Sequence, residues 1–272
     1  MVTLKEVFLS IFTTKNFWDG LMLAYSKRPA HIALRTGEEF DLSWEEYRRI
    51  IYLVFHGYTV LTKEGAFYCK RGDTIVVGSK KILPVLCGYL DKYNVFDFNN
   101  KVVLDIGGFM GETAVMFTKW GAKKIVIYEP VVENHTFIRK NVETNRIDAE
   151  IHVEGIGEAD GSVTVAYEEV NQMFGLSRSG NNTKTIKIRS AAKVIEESGA
   201  DIAKINCEGC ETVLLSVRNE ILRKIPNYII ETHTQGIRNS LLRKFASAGF
   251  KASHETQIVP NQVSIIAFEK CL

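Results

Sequence analysis

The sequence predicts an α/β protein whose main part is a mostly parallel sheet, covered by helices on both faces and finished by an antiparallel strand. Three observations predict it. From Lys101 onward, short apolar runs alternate with helical segments, the rhythm of right-handed strand–helix–strand crossovers. The terminal stretch "FKASHETQIVPNQVSIIAFE" holds two strands with no helix between them, so it closes as a hairpin. The residues before Lys101 follow another pattern and read as a small α+β region.

The domain boundaries are placed at 1–97 for that region, a candidate cap over a substrate pocket, and at 98–272 for the main domain. Residues 4–26 carry aromatic and aliphatic anchors and read as one or two helices, while "HIALRTGEEFDL" suggests two short strands around a turn. Ser43, with Glu46 three residues later, makes a capping box in front of "YRRIIYLVF", a helix start. In "YTVLTKEGAFYCKRGDTIVVG" short strands alternate with turns at Glu64-Gly65 and Arg71-Gly72-Asp73. Beyond it, strands are expected near 101–106, 123–128, 149–155, 201–206 and 226–232. Helices are expected near 111–119, 132–144, 191–198, 209–218 and 237–247. An excursion from Asp160-Gly161 through the polar run Ser177–Lys184 interrupts this alternation, and such connections often shape a substrate site.

Thirty-four basic and thirty-two acidic residues leave a formal charge of +2. That is too small for the electrostatic footprint of a dedicated nucleic-acid binder. The apolar stretch Val7–Phe12 is flanked by charges and is too short for a secretory core or a membrane span. Five cysteines, Cys69, Cys87, Cys207, Cys210 and Cys271, form an odd set without a disulfide-framework spacing, which points to a reducing compartment. The expected location is therefore the cytoplasm, with no membrane partner. In that setting the sequon Asn181-Asn182-Thr183 is a polar loop.

The most informative stretch is "KVVLDIGGFMGETAVMF". An acid, Asp105, ends an apolar strand, and Gly107, Gly108 and Gly111 crowd the turn before a helix. In an open α/β sheet, ligands bind at the carboxyl ends of strands, and glycines let a ligand approach the backbone and the helix amides. The spacing is DxGxxxG rather than the GxGxxG of dinucleotide folds. "KKIVIYEP" then places Glu129 at the end of the next strand, where its two oxygens suit a ribose diol. An acid for an ammonium, helix amides for a carboxylate and a second acid for a ribose together suit S-adenosylmethionine.

"VVLDIGGFMGETAVMF", "IVIYEPVVENHTFIRKNVETN", "EGIGEADGSVTV" and "DIAKINCEGCETVLL" resemble, in order and spacing, the FkbM family of S-adenosylmethionine-dependent methyltransferases, over roughly residues 100–233. The resemblance implies a class I methyltransferase, Rossmann-like fold with seven strands, the last hairpin strand antiparallel. "KINCEGCE" departs from the family's usual Lys-Ile-Asp-Val-Glu-Gly-Ala-Glu by carrying Asn206 in place of Asp. This removes a charge from the end of the fourth strand.

The cofactor-binding candidates are Asp105, Gly107, Gly108, Gly111, Glu129, Glu154, Gly155 and Glu208. Glu154 and Gly155 end the third strand, where the acid either accepts from the adenine amine or is a solvated strand-end charge. Glu208 and Asn206 end the fourth strand beside the transferable methyl, while Glu211 reads as a helix cap. The catalytic candidates are His233, Glu231 and Asn206: alternation along "NYIIETHTQ" puts Glu231 and His233 on one face, the imidazole taking a proton from an acceptor hydroxyl and the carboxylate holding it. Cys207 and Cys210 lack the second pair a zinc site needs and read as buried packing, and no metal is expected. The favoured reaction is O-methylation of a hydroxyl on a small molecule or sugar. The rivals are RNA methylation, with Arg178, Lys184, Lys187 and Arg189 as a local basic patch, and a catalytically silent S-adenosylmethionine-binding module.

Overall fold

The computed structural model describes residues 4–26, 28–167 and 182–271. Arg178, Asn181 and the 168–181 part of the expected excursion lie outside the described residues. Two compact units divide the chain after Asp91.

The first unit runs α1 (Leu4–Thr13), α2 (Phe17–Ser26), β1 (Ala30–Ala33), β2 (Glu39–Leu42), α3 (Trp44–Phe55), β3 (Thr59–Lys63), β4 (Ala66–Arg71), β5 (Thr74–Gly78) and α4 (Ile82–Leu86). β1 and β2 form an antiparallel pair, and β3–β4–β5 a meander. The capping box forms as its spacing requires: Ser43 Oγ accepts from the Glu46 amide, and Glu46 Oε2 accepts from the Ser43 amide at 2.9 Å. Tyr47, Ile50, Ile51 and Leu53 of α3 are wholly buried.

The second unit holds β6 (Val102–Ile106), α5 (Glu112–Lys119), β7 (Lys124–Tyr128), α6 (Val132–Asn145), β8 (Ala149–His152), β9 (Gly155–Gly157), β10 (Gly161–Tyr167), β11 (Asn182–Ser190) and α7 (Ala191–Glu197). It continues through β12 (Ile202–Ile205), α8 (Asn219–Leu222), β13 (Asn227–Thr232), α9 (Gln235–Ser247), β14 (Phe250–Val259) and β15 (Val263–Lys270). A seven-stranded sheet has the order β14-β15-β13-β12-β6-β7-β8, parallel except at β15, which pairs antiparallel with β13 and β14. This is the class I methyltransferase arrangement. The chain starts the sheet in the middle at β6, proceeds to β8 on one side, and returns through β12 on the other, so the order reverses between β6 and β12.

Strand alternation divides the two faces. Leu104, Ile106, Val126, Ala203, Ile205, Tyr228, Ile230 and Phe268 join α7, α8 and α9 in one core. Their neighbours Asp105, Ile127, Lys204 and Glu231 turn to the other face, where Thr113 of α5 reaches Asp105. Helices therefore cover both sides.

Two expected elements differ. The strand expected over 149–155 splits: β8 ends at His152, and Gly155 opens β9, which belongs to a separate sheet of order β10-β11-β9 because Gly155–Gly157 find parallel partners in Ile188–Ser190. The helix expected over 209–218 is a 3-10 turn, Cys210–Leu215, followed by the short α8. The Thr212 and Ser216 hydroxyls donate to the carbonyls of Gly209 and Val213, competing with helical hydrogen bonds, and Arg218 is extended.

Candidate active site

The turn between β6 and α5 is shaped by close approach of chains. Gly107 has φ +79°, and a Cβ there would lie 1.7 Å from the carbonyl oxygen of Asn206. Gly111 has φ +85° and sits against Ile138 of α6, while Gly108 packs on Ile127. The glycines thus let β12, β7 and α6 close on the turn from the protein side, where any side chain would collide. Two asparagines of α6 tie it down: Asn141 donates to the Met110 carbonyl at 2.7 Å and Asn134 to Glu129 at 3.2 Å.

Glu129, just after β7, is almost fully buried. Its Oε1 accepts from the Val131 amide and Asn134, and its Oε2 from the Phe109 amide at 2.9 Å. With two donors already on Oε1, only Oε2 keeps an accepting position among the described residues, room for one ribose hydroxyl rather than the expected two. Burial pushes its carboxyl up to about 7 against the lowering effect of these hydrogen bonds.

Asp105 requires a correction. It is wholly buried, with Lys204 Nζ 2.9 Å from Oδ1 and the Thr113 hydroxyl donating to Oδ2. Lys204 stands directly across the β6–β12 ladder from Asp105, is itself buried, and also donates to the Gly107 carbonyl at 2.7 Å. The carboxylate expected to meet a ligand ammonium is therefore committed to a lysine, and it supports the turn from beneath. Lys204 was legible as a charge inside the apolar strand "IAKI". Glu112, also unremarked in the sequence, is buried at the start of α5, accepts from the Met110 amide, and is pushed up to about 7 by burial.

Glu154 and Gly155 also need correction, since neither ends a strand of the main sheet. Glu154 lies between β8 and β9, mostly buried, with Lys187 of β11 at 2.5 Å. Gly155 begins β9.

The catalytic candidates do meet. Glu231 Oε2 accepts from the Tyr93 hydroxyl at 2.9 Å and from Asn206 Nδ2 at 3.1 Å. His233, after β13, contacts three carboxylates: Glu211 Oε1 at 2.9 Å from Nδ1, and Glu208 Oε2 and Glu231 Oε1 at 3.4 and 3.5 Å from Nε2. Burial alone would lower the His233 value, but the hydrogen bonds to Glu208, Glu211 and Glu231 outweigh it and hold it at about 12. These contacts favour the imidazolium form, which donates hydrogen bonds to the carboxylates instead of accepting a proton as the expected general base would. Glu211, read as a cap, is wholly buried; one oxygen accepts from the Gly209 amide at 2.8 Å and the other holds His233. Tyr93, which precedes the main domain's first strand, carried no motif in the sequence.

Cys207 and Cys210 pack against the core as expected but are joined as a disulfide, which packing alone did not anticipate. Among the described residues, no group of three or more His, Cys, Asp or Glu is disposed to hold a metal ion, and no helix is long and apolar enough to cross a membrane.

No protein-family model matches the chain, and no curated protein matches it. Solved structures do: a candidate RNA methyltransferase of Pyrococcus horikoshii is 15% identical with TM-score 0.45, over 70% of this chain and 86% of that one. The ribosomal protein L11 methylase of Lactobacillus delbrueckii subsp. bulgaricus is 14% identical with TM-score 0.39, over 71% of this chain and 81% of that one. TrmK of M. capricolum, in complex with S-adenosylhomocysteine, is 16% identical with TM-score 0.42, over 67% of this chain and 68% of that one. Likeness at this level carries nothing about substrate. The fold assignment rests on the strand order itself, and the FkbM resemblance on its motifs.

Proposed function

We propose that the chain is an S-adenosylmethionine-dependent methyltransferase. The observation that carries this reading is the placement of the Gly107–Gly111 turn and Glu129 at the carboxyl ends of two adjacent strands, beside the reversal of strand order. The residues fit the cofactor with one change from the sequence expectation. Glu129 Oε2 would take a ribose hydroxyl and the backbone of the Gly107–Gly111 turn would lie against the amino-acid end, while Asp105 acts only through Lys204. When bound, the cofactor supplies a methyl already activated by its sulfonium. The chain's own task is then to align the acceptor, exclude water and manage one proton.

In that task His233 is a charged hydrogen-bond donor held in place by Glu211. Glu208, whose side chain is 44% exposed beside it, is the carboxylate best placed to take a proton from an acceptor. Tyr93 and Asn206 orient Glu231.

For the acceptor, a hydroxyl of a small molecule or sugar rests on the FkbM motifs alone. Some of the similar structures carry names of RNA methyltransferases and one that of a ribosomal-protein methylase, and at their level of likeness these names leave the acceptor to the assay. Against the nucleic-acid alternative, the described members of the suggested basic patch are each in an ion pair: Lys184 with Glu133, Lys187 with Glu154 and Arg189 with Glu197. Calorimetry with S-adenosylmethionine and S-adenosylhomocysteine, then a methyl-release assay over hydroxyl, amine and RNA acceptors, tests both levels. Binding without turnover would leave a silent module, salt-dependent turnover on RNA would decide for nucleic acid, and no binding of either compound would end the reading.

A further inference from the structure

The Cys207–Cys210 pair has no part in the reading above. Both cysteines are half-buried in the segment that leaves β12 and are bridged at a sequence separation of 3. A ring this short removes little entropy from the unfolded chain, so it is a poor structural staple. The C-x-x-C spacing is instead one in which thiols are made reactive. The ring also encloses Glu208 and Gly209, both at positive φ, 55° and 117°.

What surrounds the ring is the candidate site itself. Asn206 donates to Glu231, Glu208 contacts His233, the Gly209 amide donates to Glu211, and Glu211 holds His233. The other cysteines are placed differently: burial pushes the Cys69 thiol up to about 12 and Cys87 up to about 11, and Cys271 is exposed.

We propose that Cys207–Cys210 is a thiol–disulfide exchange site for a dithiol reductant, and that its redox state sets the hold of Glu208 and Glu211 on His233. A thiolate of the reductant attacks one sulfur, the S–S bond breaks, and the other cysteine leaves as a thiolate. The reductant's second thiol then resolves the mixed disulfide. Two electrons and two protons pass to the protein, and the reductant departs as its own disulfide. In the dithiol, Cys207 Sγ, 4.0 Å from Glu211 Oε2, competes with the Gly209 amide for that oxygen. Opening the ring also frees Glu208 to leave its left-handed conformation and its contact with His233.

The test uses the full chain carrying Cys271→Ser, so that the exposed thiol does not interfere. The protein is equilibrated across mixtures of oxidised and reduced dithiothreitol, free thiols are alkylated and counted by intact mass, and the His233 imidazole is followed by NMR. One reversible two-electron transition is expected, with the His233 resonances shifting at the same midpoint. Cys207→Ser/Cys210→Ser should give a single spectrum at every potential; if that variant does not fold, Cys210→Ser, which cannot close the ring, provides the comparison. A pair that stays reduced under oxidising conditions, or His233 resonances that do not move across the transition, overturns the proposal. Binding of S-adenosylhomocysteine is measured in both states. Binding with an unmoved His233 sinks the exchange proposal alone, and a redox-coupled His233 without binding supports it while ending the methyltransferase reading.

Discussion

Replacing Lys204 with methionine would strand a carboxylate in the interior. Lys204 Nζ supplies Asp105 with its only cation among the described residues, at 2.9 Å, and supplies the Gly107 carbonyl with a donor at 2.7 Å. Both side chains are withdrawn from water. Breaking a buried pair from one side costs about 3–5 kcal/mol, because the remaining charge keeps its desolvation penalty and loses its compensation. For a unit of this size that is a fall in Tm of roughly 6–20 °C. Removing both charges together, as Lys204→Met with Asp105→Asn, leaves no stranded ion, so the double variant should be more stable than the sum of the singles predicts by about 2–3 kcal/mol. Urea unfolding followed through Trp120, with Trp18 and Trp44 changed to phenylalanine so that only the second unit reports, measures all four corners of the cycle. A Lys204→Met cost below about 1 kcal/mol, or strict additivity of the two changes, would refute the account of Asp105 as an ion-pair support for the turn.

Further outcomes follow from the other buried acids and from His233. Glu112 and Glu129 are raised from an ordinary value of 4.5 to about 7, so the folded ligand-free protein retains protons that the unfolded chain releases; its stability should fall as pH rises from about 4.5 through about 7, and Glu112→Gln should flatten that slope in thermal melts. A ribose hydroxyl donating to Glu129 favours the ionised form, so affinity for S-adenosylhomocysteine should rise with pH through about 7. Glu129→Gln should abolish that rise and weaken binding by about 10-fold at pH 8 by calorimetry, the loss of one charge-assisted hydrogen bond. His233, held at about 12, should show imidazolium chemical shifts at pH 8; a neutral ring there would return it to the role of base.

The local pattern of the chain already determined much of this protein. Strand and helix periodicity from Lys101 onward, the hairpin at the end, the Ser43–Glu46 capping box and the glycine turn after β6 are written in neighbouring residues, because each depends on interactions a few positions apart. Glu129 was legible for the same reason: an acid that ends one strand must lie near the turn that ends the strand beside it. Tertiary structure decided the charges. Lys204 meets Asp105 across 99 positions and Tyr93 meets Glu231 across 138, so whether Asp105 was free or paired depended on strand register that periodicity does not carry. His233 likewise reads as a base from its place on the strand, and its value is raised because folding gathers Glu208, Glu211 and Glu231 around it, whose hydrogen bonds outweigh the cost of burying the charged ring.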